Sequence, residues 1–571
     1  MGFLAQAAAV SQPATTTHLT NPLPAPVSMS WDGDSGLIGL SPDLKFDGPE
    51  NDILKKAFSR AVDNMKHDRY FPAEANDTVW DNAPTEVTVN KVKFDIKDVD
   101  ADLQHGVDES YALKVDDCSD VSVTAETVWG ALHALNTLEQ LVLYQVDNQK
   151  LFLEGPVSIK DKPKYPYRGI MLDTARNFHS VDAILRQIDA LAMAKMNVFH
   201  WHLTDTQSWP VYVKSYPQMI KDAFSPAKVY MPEDIKRVIE YARERGVRVI
   251  PELDLPGHSN SGWKRVNKDI VACGDYPWEE VALEPNPGQL EVLKDETYDI
   301  LKTVYNDVSD MFPENFFHVG IDELHTGCYN KSDSIQKWLK EDKSRTYQDV
   351  VQYWLEHALP IFKNKEDRQL MMWQDAVLST DIAARDVPKN IILQAWSDGV
   401  DSVKNLTARG YDVVVSSSDF VYLDCGMGGW LTDDPRYNVQ KDPSPGELSF
   451  NYGGNGGSWC GPYKSWQRVY SFDFESQLNE EERKHVIGGS ANLWSEQSDT
   501  AITDSMIWPR AAAYGELLWS GNKGDDGKLR THDLTQRIYN FRERLVTRGV
   551  NAAPLAPEYC IKNPGKCKYA E

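Results

Sequence analysis

The sequence has no apolar run long enough to cross a lipid bilayer, which takes about 20 consecutive apolar residues. It also has no excess of basic residues: 60 Lys and Arg stand against 85 Asp and Glu, for a formal charge of -25. A chain this acidic is repelled by nucleic acid and by anionic membranes. We therefore expect neither as a partner, and a neutral substrate fits the charge better.

Closely spaced cysteine pairs of the kind that bind metal clusters are missing as well. The seven cysteines instead allow three disulfides and one odd thiol: Cys273 with Cys328, Cys425 with Cys460, Cys560 with Cys567, and Cys118 alone. Individually weak N-glycosylation sequons begin at Asn76, Asn330 and Asn405. Because disulfides persist in oxidising compartments, these features favour a secreted or lumenal protein over a cytosolic one.

The sequence pattern changes near residues 161–166, which divides the chain. Residues 1–30 are expected to be a leader, either a signal remnant, a cloning remnant or the start of a propeptide. Residues 31–163 alternate apolar and polar positions before a helical pattern, which indicates a small α+β domain that includes any propeptide region. Residues 164–571 are expected to hold a catalytic barrel and a C-terminal extension.

Eight short apolar segments alternate with amphipathic helical patterns after the division. The predicted strands are 169–172, 198–203, 247–250, 316–321, 370–372, 391–395, 413–415 and 486–493. A short apolar run is typical of a buried parallel strand. Eight strand and helix alternations over about 400 residues favour an α/β fold of the (β/α)8 or TIM-barrel type over a doubly wound sheet.

Polar and aromatic side chains follow nearly every predicted barrel strand. In chain order they are Asp173, Arg176, His200, His202, Asp205, Glu252, Asp254, His258, Asp322, Glu323, Trp373, Asp375, Trp396, Tyr422, Asp424, Trp494 and Glu496. Barrel enzymes place their chemistry at the carboxyl ends of the strands. Carboxylates bind sugar hydroxyls and indoles pack on sugar rings, so this rim indicates a sugar pocket.

Asp322 and Glu323 are the most informative of these residues. The dipeptide Asp-Glu also occurs at 108–109 and 295–296, but only the third copy ends an apolar run. The motif of residues 318–323 resembles the Asp-Glu signature of the family 20 glycoside hydrolases, the β-N-acetylhexosaminidases. Motifs at 173–176, 202–205, 251–258, 373–375, 422–424 and 492–496 extend the resemblance along the barrel. Ile321 departs from the family pattern, which often has a second glycine there.

The resemblance implies an exo-acting, retaining enzyme whose substrate supplies its own nucleophile, the 2-acetamido oxygen, through an oxazolinium intermediate. Glu323 is then the general acid and base, and Asp322 accepts the acetamide N–H. Asp205 and His258 form the pair that leads to Glu323; the simpler alternative is that His258 only bonds a loop carbonyl. The expected substrate is a terminal N-acetylglucosamine, and also N-acetylgalactosamine, of chitooligosaccharides or glycans.

The resemblance also assigns the binding residues. Arg176 and Glu496 should bind ring hydroxyls, Asp424 the hydroxymethyl end, and Tyr422 the acetamido carbonyl, with Trp373, Trp396 and Trp494 around the acetamido methyl. Trp459 is expected to be the platform for the departing sugar, with Trp466 as a competitor. The family pattern implies no metal and no cofactor. The cysteines and leader resemble the secreted fungal branch, which implies a homodimer with a processed propeptide.

Two alternatives remain open from the sequence. A metal-dependent TIM-barrel amidohydrolase could use His200 and His202, which share one side of a strand, but no later strand ends in histidine. Loss of activity to a chelator, restored by zinc, would support it. A non-catalytic sugar-binding relative is the other alternative, and the presence of both Asp322 and Glu323 argues against it.

Overall fold

The computed structural model describes residues 18–69, 72, 77–84, 86–116, 120–145, 147–432, 459–563 and 565–567. The N-terminal part contains a six-stranded mixed sheet in the order β1-β2-β4-β3-β6-β5, and β1 also pairs with β6. Its strands are β1 (Ser28–Asp47), β2 (Val89–Asp98), β3 (Tyr111–Val115), β4 (Val121–Thr127), β5 (Leu143–Gln145) and β6 (Lys150–Asp161). Buried and exposed positions alternate along β4, as the sequence predicts for a sheet with one buried face.

Three helices accompany this sheet: α1 (Asp52–His67), α2 (Asp77–Asp81) and α3 (Val128–Leu141). α1 begins at Asn51, whose side chain accepts a hydrogen bond from the Leu54 N–H and caps the helix. Its apolar stripe and the almost fully buried α3 share one core with the sheet. The predicted α+β unit therefore has a hydrophobic core of its own.

The second part is a closed barrel of eight parallel strands, which confirms the predicted fold class. The strands are β7 (Tyr167–Asp173), β8 (Val198–His202), β9 (Arg248–Glu252), β12 (Phe316–His318), β13 (Gln369–Trp373), β14 (Ile392–Ala395), β15 (Val413–Val415) and β16 (Val486–Leu493). β16 pairs with β7 and closes the ring. Two short strands, β10 (Val271–Ala272) and β11 (Gln289–Leu290), form a small hairpin-like sheet after β9.

Helices surround the barrel and connect its strands. They are α4 (Val181–Met193), α5 (Pro232–Arg243), α6 (Trp263–Val266), α7 (Trp278–Val281), α8 (Asp295–Ser309), α9 (Thr326–Asn330), α10 (Asp333–Glu341), α11 (Tyr347–Phe362), α12 (Asp375–Leu378), α13 (Gly399–Ala408), α14 (Ser418–Val421), α15 (Trp466–Tyr470), α16 (Glu480–Arg483), α17 (Thr503–Ile507), α18 (Arg510–Ser520), α19 (Thr531–Thr547) and α20 (Glu558–Lys562). Two 3-10 helices span Pro217–Asp222 and Lys268–Ile270. The described residues include no helix long and apolar enough to cross a membrane.

One predicted strand is shorter in the structure. The sequence predicts a strand over 316–321, but β12 ends at His318. Gly320 and Ile321 have φ angles of 69° and 77°, outside the β region. The apolar run continues beyond the strand because Val319 and Ile321 remain buried in the turn.

Buried charge pairs join the two parts of the chain. Arg168 on β7 donates to Glu109 at 2.7 and 3.0 Å, and Lys195 donates to Asp161 at 2.8 Å. Of the predicted leader, the described residues from 18 onward pack on the fold, and Leu23 is fully buried. The sheet of the N-terminal part ends at Asp161, six residues before the barrel begins at Tyr167.

The three predicted disulfides are present: Cys273–Cys328, Cys425–Cys460 and Cys560–Cys567. Cys118 and the Asn76 sequon lie outside the described residues. Asn330 and Asn405 are exposed at their helices, whereas Ser332 and Thr407 of the same sequons are buried.

Candidate active site

Asp322 and Glu323 lie in the turn that follows β12, at the carboxyl end of the barrel. Glu323 has a φ of 50°, so it shares the positive φ of Gly320 and Ile321 in the same turn. Side chains of adjacent residues in a regular strand point to opposite faces. The turn removes that alternation, and both carboxyl groups line one cavity of about 400 Å³.

The turn fits closely against β9 and the loop after it. A Cβ on Gly320 would lie 1.8 Å from Asp254 Oδ1, so this position has no room for a side chain. Ile321 is 1% exposed, and its left-handed backbone costs about 1–2 kcal/mol, which burial of the side chain offsets. The departure at Ile321 therefore leaves the two carboxylates on the cavity.

Ten of the twelve predicted site residues line this cavity. They are Arg176, His258, Asp322, Glu323, Trp396, Tyr422, Asp424, Trp459, Trp494 and Glu496. The other two, Asp205 and Trp373, are buried behind it, each 1% exposed. The structure thus brings residues from all eight strand ends to one end of the barrel.

His258 connects Asp205 with the paired carboxylates. Its Nδ1 lies 3.1 Å from Asp205 Oδ1, and its Nε2 lies 3.4 Å from Glu323 Oε2 and 3.9 Å from Asp322 Oδ2. Burial opposes a charge on this imidazole, but Asp205 and Asp254 outweigh it and hold the pKa of His258 well above its usual value. His258 is thus held by carboxylate side chains, with Arg176 Nη2 3.3 Å from its Nδ1.

Asp322 is buried beside a second carboxyl group, Asp254. Burial, and then the nearby Asp254, raise the pKa of Asp322 well above its usual value. Within the described part of the chain, both oxygens of Asp254 and the Oδ1 of Asp322 have no hydrogen-bond partner. Asp322 thus has a free, desolvated oxygen that a ligand N–H can satisfy.

The polar end of the cavity is organised by Arg176. Its guanidinium lies 2.8 Å from Asp205 and 2.7 Å from Glu284, and it stacks 5.0 Å from the Trp494 ring. Burial, and then Glu284, raise the pKa of Glu496 well above its usual value. A planar guanidinium among carboxyl groups offers the mixed donors and acceptors that sugar hydroxyls require.

Aromatic rings form the opposite wall. Trp396 and Tyr422 stack at 6.4 Å between centroids, and Trp494 lies 5.9 Å from Trp373 and 6.4 Å from Tyr422. The Trp396 indole N–H donates to Asp375 at 2.7 Å, and burial raises the pKa of Asp375 to about 6. The hydrogen bond fixes the ring against the cavity.

Trp459 and Trp466 occupy different environments. Trp459 is 63% exposed at the mouth of the cavity, where its ring meets those of Trp396 and Tyr422 edge to face at 5.9 and 6.0 Å. Trp466 is 3% exposed and belongs to the main core. The Cys425–Cys460 disulfide holds the segment that carries Trp459 next to Asp424.

Sequence reasoning missed Glu284, which lines the cavity and binds Arg176. Glu284 lies in the loop between β10 and β11, far from any predicted barrel strand. Leu283, Met427 and Trp430 also line the mouth and come from loops. No sequence pattern that relies on strand ends would have found them.

Among the described residues, several donor clusters have the composition of a metal site. His200, Glu252 and His318 bring their ligand atoms within 4.8 Å of one another, and so do Asp254, His258 and Asp322. The first cluster is fully buried, and its imidazoles contact the Glu252 carboxylate at 2.8 and 3.0 Å. In that arrangement the Glu252 carboxylate lies between the two imidazoles, and His318 Nδ1 accepts a hydrogen bond from the Gly320 N–H at 3.2 Å.

A parallel barrel with paired carboxylates and an indole wall at its carboxyl end defines a carbohydrate-active enzyme of the glycosidase class. Residues 165–522 match the glycosyl hydrolase family 20 catalytic domain, and residues 22–141 match the model described as beta-acetyl hexosaminidase like. The chain belongs to glycosyl hydrolase family 20 and is a glycoside hydrolase of the β-hexosaminidase type. This membership decides against the amidohydrolase alternative.

Similar proteins cover nearly the whole chain. Beta-hexosaminidase 1 of Coccidioides posadasii is 50% identical over 566 residues, which are 96% of this chain and 94% of that protein. Beta-hexosaminidase of Emericella nidulans is 49% identical over 96% of this chain and 95% of its own length. The solved structure of Flavobacterium johnsoniae chitobiase matches with 26% identity and a TM-score of 0.70, covering 93% of this chain and 73% of that one.

Proposed function

We propose that this enzyme removes single β-linked N-acetylhexosamine residues from the non-reducing ends of chitooligosaccharides or glycans, with retention of configuration. N-acetylglucosamine is the principal substrate unit, and N-acetylgalactosamine is also accepted. The observation that carries the proposal is the turn after β12, which directs Asp322 and Glu323 into one indole-walled cavity. A chitooligosaccharidolytic β-N-acetylglucosaminidase from Ostrinia furnacalis, 38% identical over 81% of this chain, supports the choice of substrate.

Glu323 acts as the general acid and then as the general base. It is the carboxyl group nearer to the charged His258, which is held in turn by Asp205. Glu323 protonates the glycosidic oxygen as the bond to the leaving sugar breaks. After the leaving sugar departs, the same carboxylate takes a proton from the incoming water.

The nucleophile is the substrate's own acetamido oxygen, which forms an oxazolinium ring on the anomeric carbon. Asp322 accepts the acetamide N–H with its unpartnered oxygen and stabilises the positive charge that develops. Tyr422 donates its hydroxyl proton to the acetamido oxygen. Trp396 and Trp494 enclose the methyl group, with Trp373 packed behind Trp494, so a plain 2-hydroxyl sugar leaves this space unfilled.

The remaining polar residues bind one terminal sugar ring. Arg176 and Glu496 bind its ring hydroxyls, and Asp424 binds the hydroxymethyl end. Burial raises the pKa of Asp424 to about 6, which suits a group that exchanges hydrogen bonds with neutral hydroxyls. Trp459 at the mouth of the cavity stacks on the leaving sugar. The terminal sugar then lies inside the cavity, so the reaction takes place at the non-reducing end of the substrate.

We also infer an extracellular homodimer with a processed propeptide in its N-terminal part. Three disulfides support the oxidising compartment, because such bonds are rare in the cytosol. Light scattering of the purified enzyme measures whether it is a dimer, and mass spectrometry of its chains measures whether the propeptide is cleaved. A monomer of one uncleaved chain would contradict both.

The mechanism is tested by following chitobiose hydrolysis with proton NMR in the first minutes. Retention predicts that the β anomer of N-acetylglucosamine appears first. A thiazoline mimic of the oxazolinium ring should bind at least 100-fold more tightly than the free sugar. Initial release of the α anomer, or equal binding of the mimic and the sugar, would contradict substrate assistance.

A further inference from the structure

The carboxylate of Glu252, at the end of β9, lies beneath the active site and reaches no substrate. It is fully buried, and the side-chain nitrogen atoms of four residues lie around it. His200 and His202 lie 2.8 and 2.9 Å from Oε2, and His318 and the Trp373 indole lie 3.0 and 2.8 Å from Oε1. The pairing of strands explains the arrangement, because His202 and His318 are the register partners of Glu252 on β8 and β12.

His202 extends this cluster toward the catalytic carboxyl group. Its Nδ1 contacts Glu252 and its Nε2 contacts Asp205 Oδ2, both at 2.9 Å. An imidazole can donate from both nitrogens only when it is protonated. Burial opposes that charge, but the two carboxylates outweigh it and raise the pKa of His202 well above its usual value.

The result is a line of alternating charges that leads to the active site. Glu252 is negative, His202 positive, Asp205 negative and His258 positive, and His258 faces Glu323. Arg176 adds a second cation 2.8 Å from Asp205 Oδ2, and its Nη2 lies 3.3 Å from His258 Nδ1. Each charge in the line therefore has a neighbour of opposite sign, which is the condition for keeping ionised groups out of water. None of the first three groups lines the cavity.

We propose that Glu252 and His202 are positioning residues for the reaction, an inference that depends on the proposed function. They fix the charge and orientation of Asp205 and His258 opposite the general acid Glu323. Glu252 also accepts the indole N–H of Trp373, which packs behind Trp494 on the wall of the proposed acetamido pocket. The Glu252 carboxylate therefore contacts both His202, on the side of the general acid Glu323, and Trp373, on the side of the acetamido pocket.

The charged groups around His202 and Glu323 determine how a substitution in the line changes the electrostatic surroundings of the general acid. His202 faces Glu252, Asp205, Asp254 and, more distantly, Asp173. Glu323 faces His258, Asp322 and Asp375. Removing the His202 cation makes the surroundings of His258 and Glu323 more negative, and removing the Glu252 charge makes them more positive. The two substitutions should therefore act on the pH dependence of the reaction in opposite directions.

His202→Gln and Glu252→Gln test this in the full-length enzyme. The basic limb of the kcat profile should move to higher pH for H202Q and to lower pH for E252Q, each by about half to one pH unit. With chitobiose, kcat should fall at least about 10-fold in H202Q, while the thiazoline mimic binds within a few-fold of wild type. For a dinitrophenyl glycoside, whose leaving group needs little protonation, the fall in kcat of H202Q should be smaller.

His200→Gln is the matched control. His200 is as buried as His202 and contacts the same Glu252 oxygen, but burial lowers its pKa to about 4, so the substitution exchanges one neutral group for another. The pH limb should therefore stay in place in H200Q.

The outcomes separate this inference from the proposed function. Limbs that stay fixed in H202Q and E252Q, or that move in the same direction, would overturn the positioning role. If kcat fell equally in H202Q, E252Q and H200Q and the basic limb of the pH profile did not move, the cluster would contribute packing only, and the positioning role would be wrong. A wild-type enzyme that cleaves no N-acetylhexosaminide would instead refute the proposed function.

Discussion

At the scale of single residues, burial and neighbouring charge decide which protons move. Asp322 and Glu323 are adjacent, yet Asp322 is 6% exposed and lies beside Asp254, whereas Glu323 is more exposed and faces His258. The two carboxyl groups therefore have different environments in spite of sharing one turn. That difference is the physical basis for giving them different roles.

Glu323→Gln tests the general acid. The amide has the shape of the carboxyl group but no proton to transfer, so kcat for chitobiose should fall by about 100- to 10,000-fold. Binding of the thiazoline mimic, measured by calorimetry, should change little. Near-normal chitobiose hydrolysis by E323Q would show that another group supplies the proton.

Asp322→Asn tests whether the buried Asp322 carboxylate lowers the stability of the fold while serving the reaction. The folded-state pKa of Asp322 is raised, so its ionisation costs stability at pH values above the unfolded pKa, and protonation removes that cost at low pH. The variant should have a higher Tm than wild type at pH 7, and the difference should shrink as the pH falls. Its hydrolytic rate should drop because the amide cannot balance the oxazolinium charge.

Thermal unfolding at several pH values, together with rates, checks both halves of this prediction. A D322N variant with normal hydrolysis would mean that the acetamido group is not the nucleophile. A Tm below that of wild type at pH 7 would mean that the Asp322 carboxylate is well compensated in the fold.

At the scale of elements, the strands were predictable and the turns were not. Each barrel strand is buried on both faces, so it appears in the sequence as an apolar run that alternates with amphipathic helices. The end of β12 could not be predicted, because Ile321 is a residue type that disfavours the left-handed backbone it adopts. Tertiary packing against Asp254 decides that turn.

The site was predictable to the extent that it is built on strand ends. Residues that follow barrel strands, such as Arg176 and Glu496, could be placed by position alone. Glu284 could not, because it lines the cavity from an irregular loop that follows no predicted barrel strand. The burial of Trp373 behind the cavity was also unforeseen, since its indole N–H is directed to Glu252.

The loop end that carries Trp459 gives a prediction at this scale. Removing the indole in Trp459→Ala should raise KM for chitobiose and chitotriose about 10-fold or more, because an aromatic stacking surface for the leaving sugar is lost. The 4-methylumbelliferyl glycoside, which has no second sugar, measures the same reaction without that contact and should show a smaller change in KM. The Tm should stay close to wild type, since the ring is 63% exposed.

Equal KM increases for both kinds of substrate would contradict the platform role. In that case Trp459 would act by holding Trp396 and Tyr422, which its ring contacts.

At the scale of the whole molecule, the N-terminal part is bound to the barrel by buried ion pairs. Glu109 accepts two hydrogen bonds from Arg168 and contacts His133, and all three side chains are buried. Burial would raise the pKa of Glu109, but Arg168 and His133 lower it to about 2. The junction is therefore part of the core of the molecule.

Glu109→Gln should destabilise the protein by about 3–5 kcal/mol, because it leaves the buried Arg168 cation uncompensated. The measurement is a fall in Tm by scanning calorimetry at pH 7. Lys56→Gln is the control, since it breaks an exposed ion pair with Glu244 across the same junction and should change Tm much less. Equal effects of the two substitutions would mean that the junction contributes little to stability.

One measurement tests the central claim most directly: the rates with aryl β-glycosides of N-acetylglucosamine and of glucose under identical conditions. The two substrates differ only at the 2-position, where the proposed mechanism has the acetamido group supply the nucleophile and contact Asp322. The structure predicts rapid cleavage of the N-acetylglucosaminide and no measurable cleavage of the glucoside. Comparable cleavage of both would contradict substrate assistance and the roles given to Asp322 and Glu323.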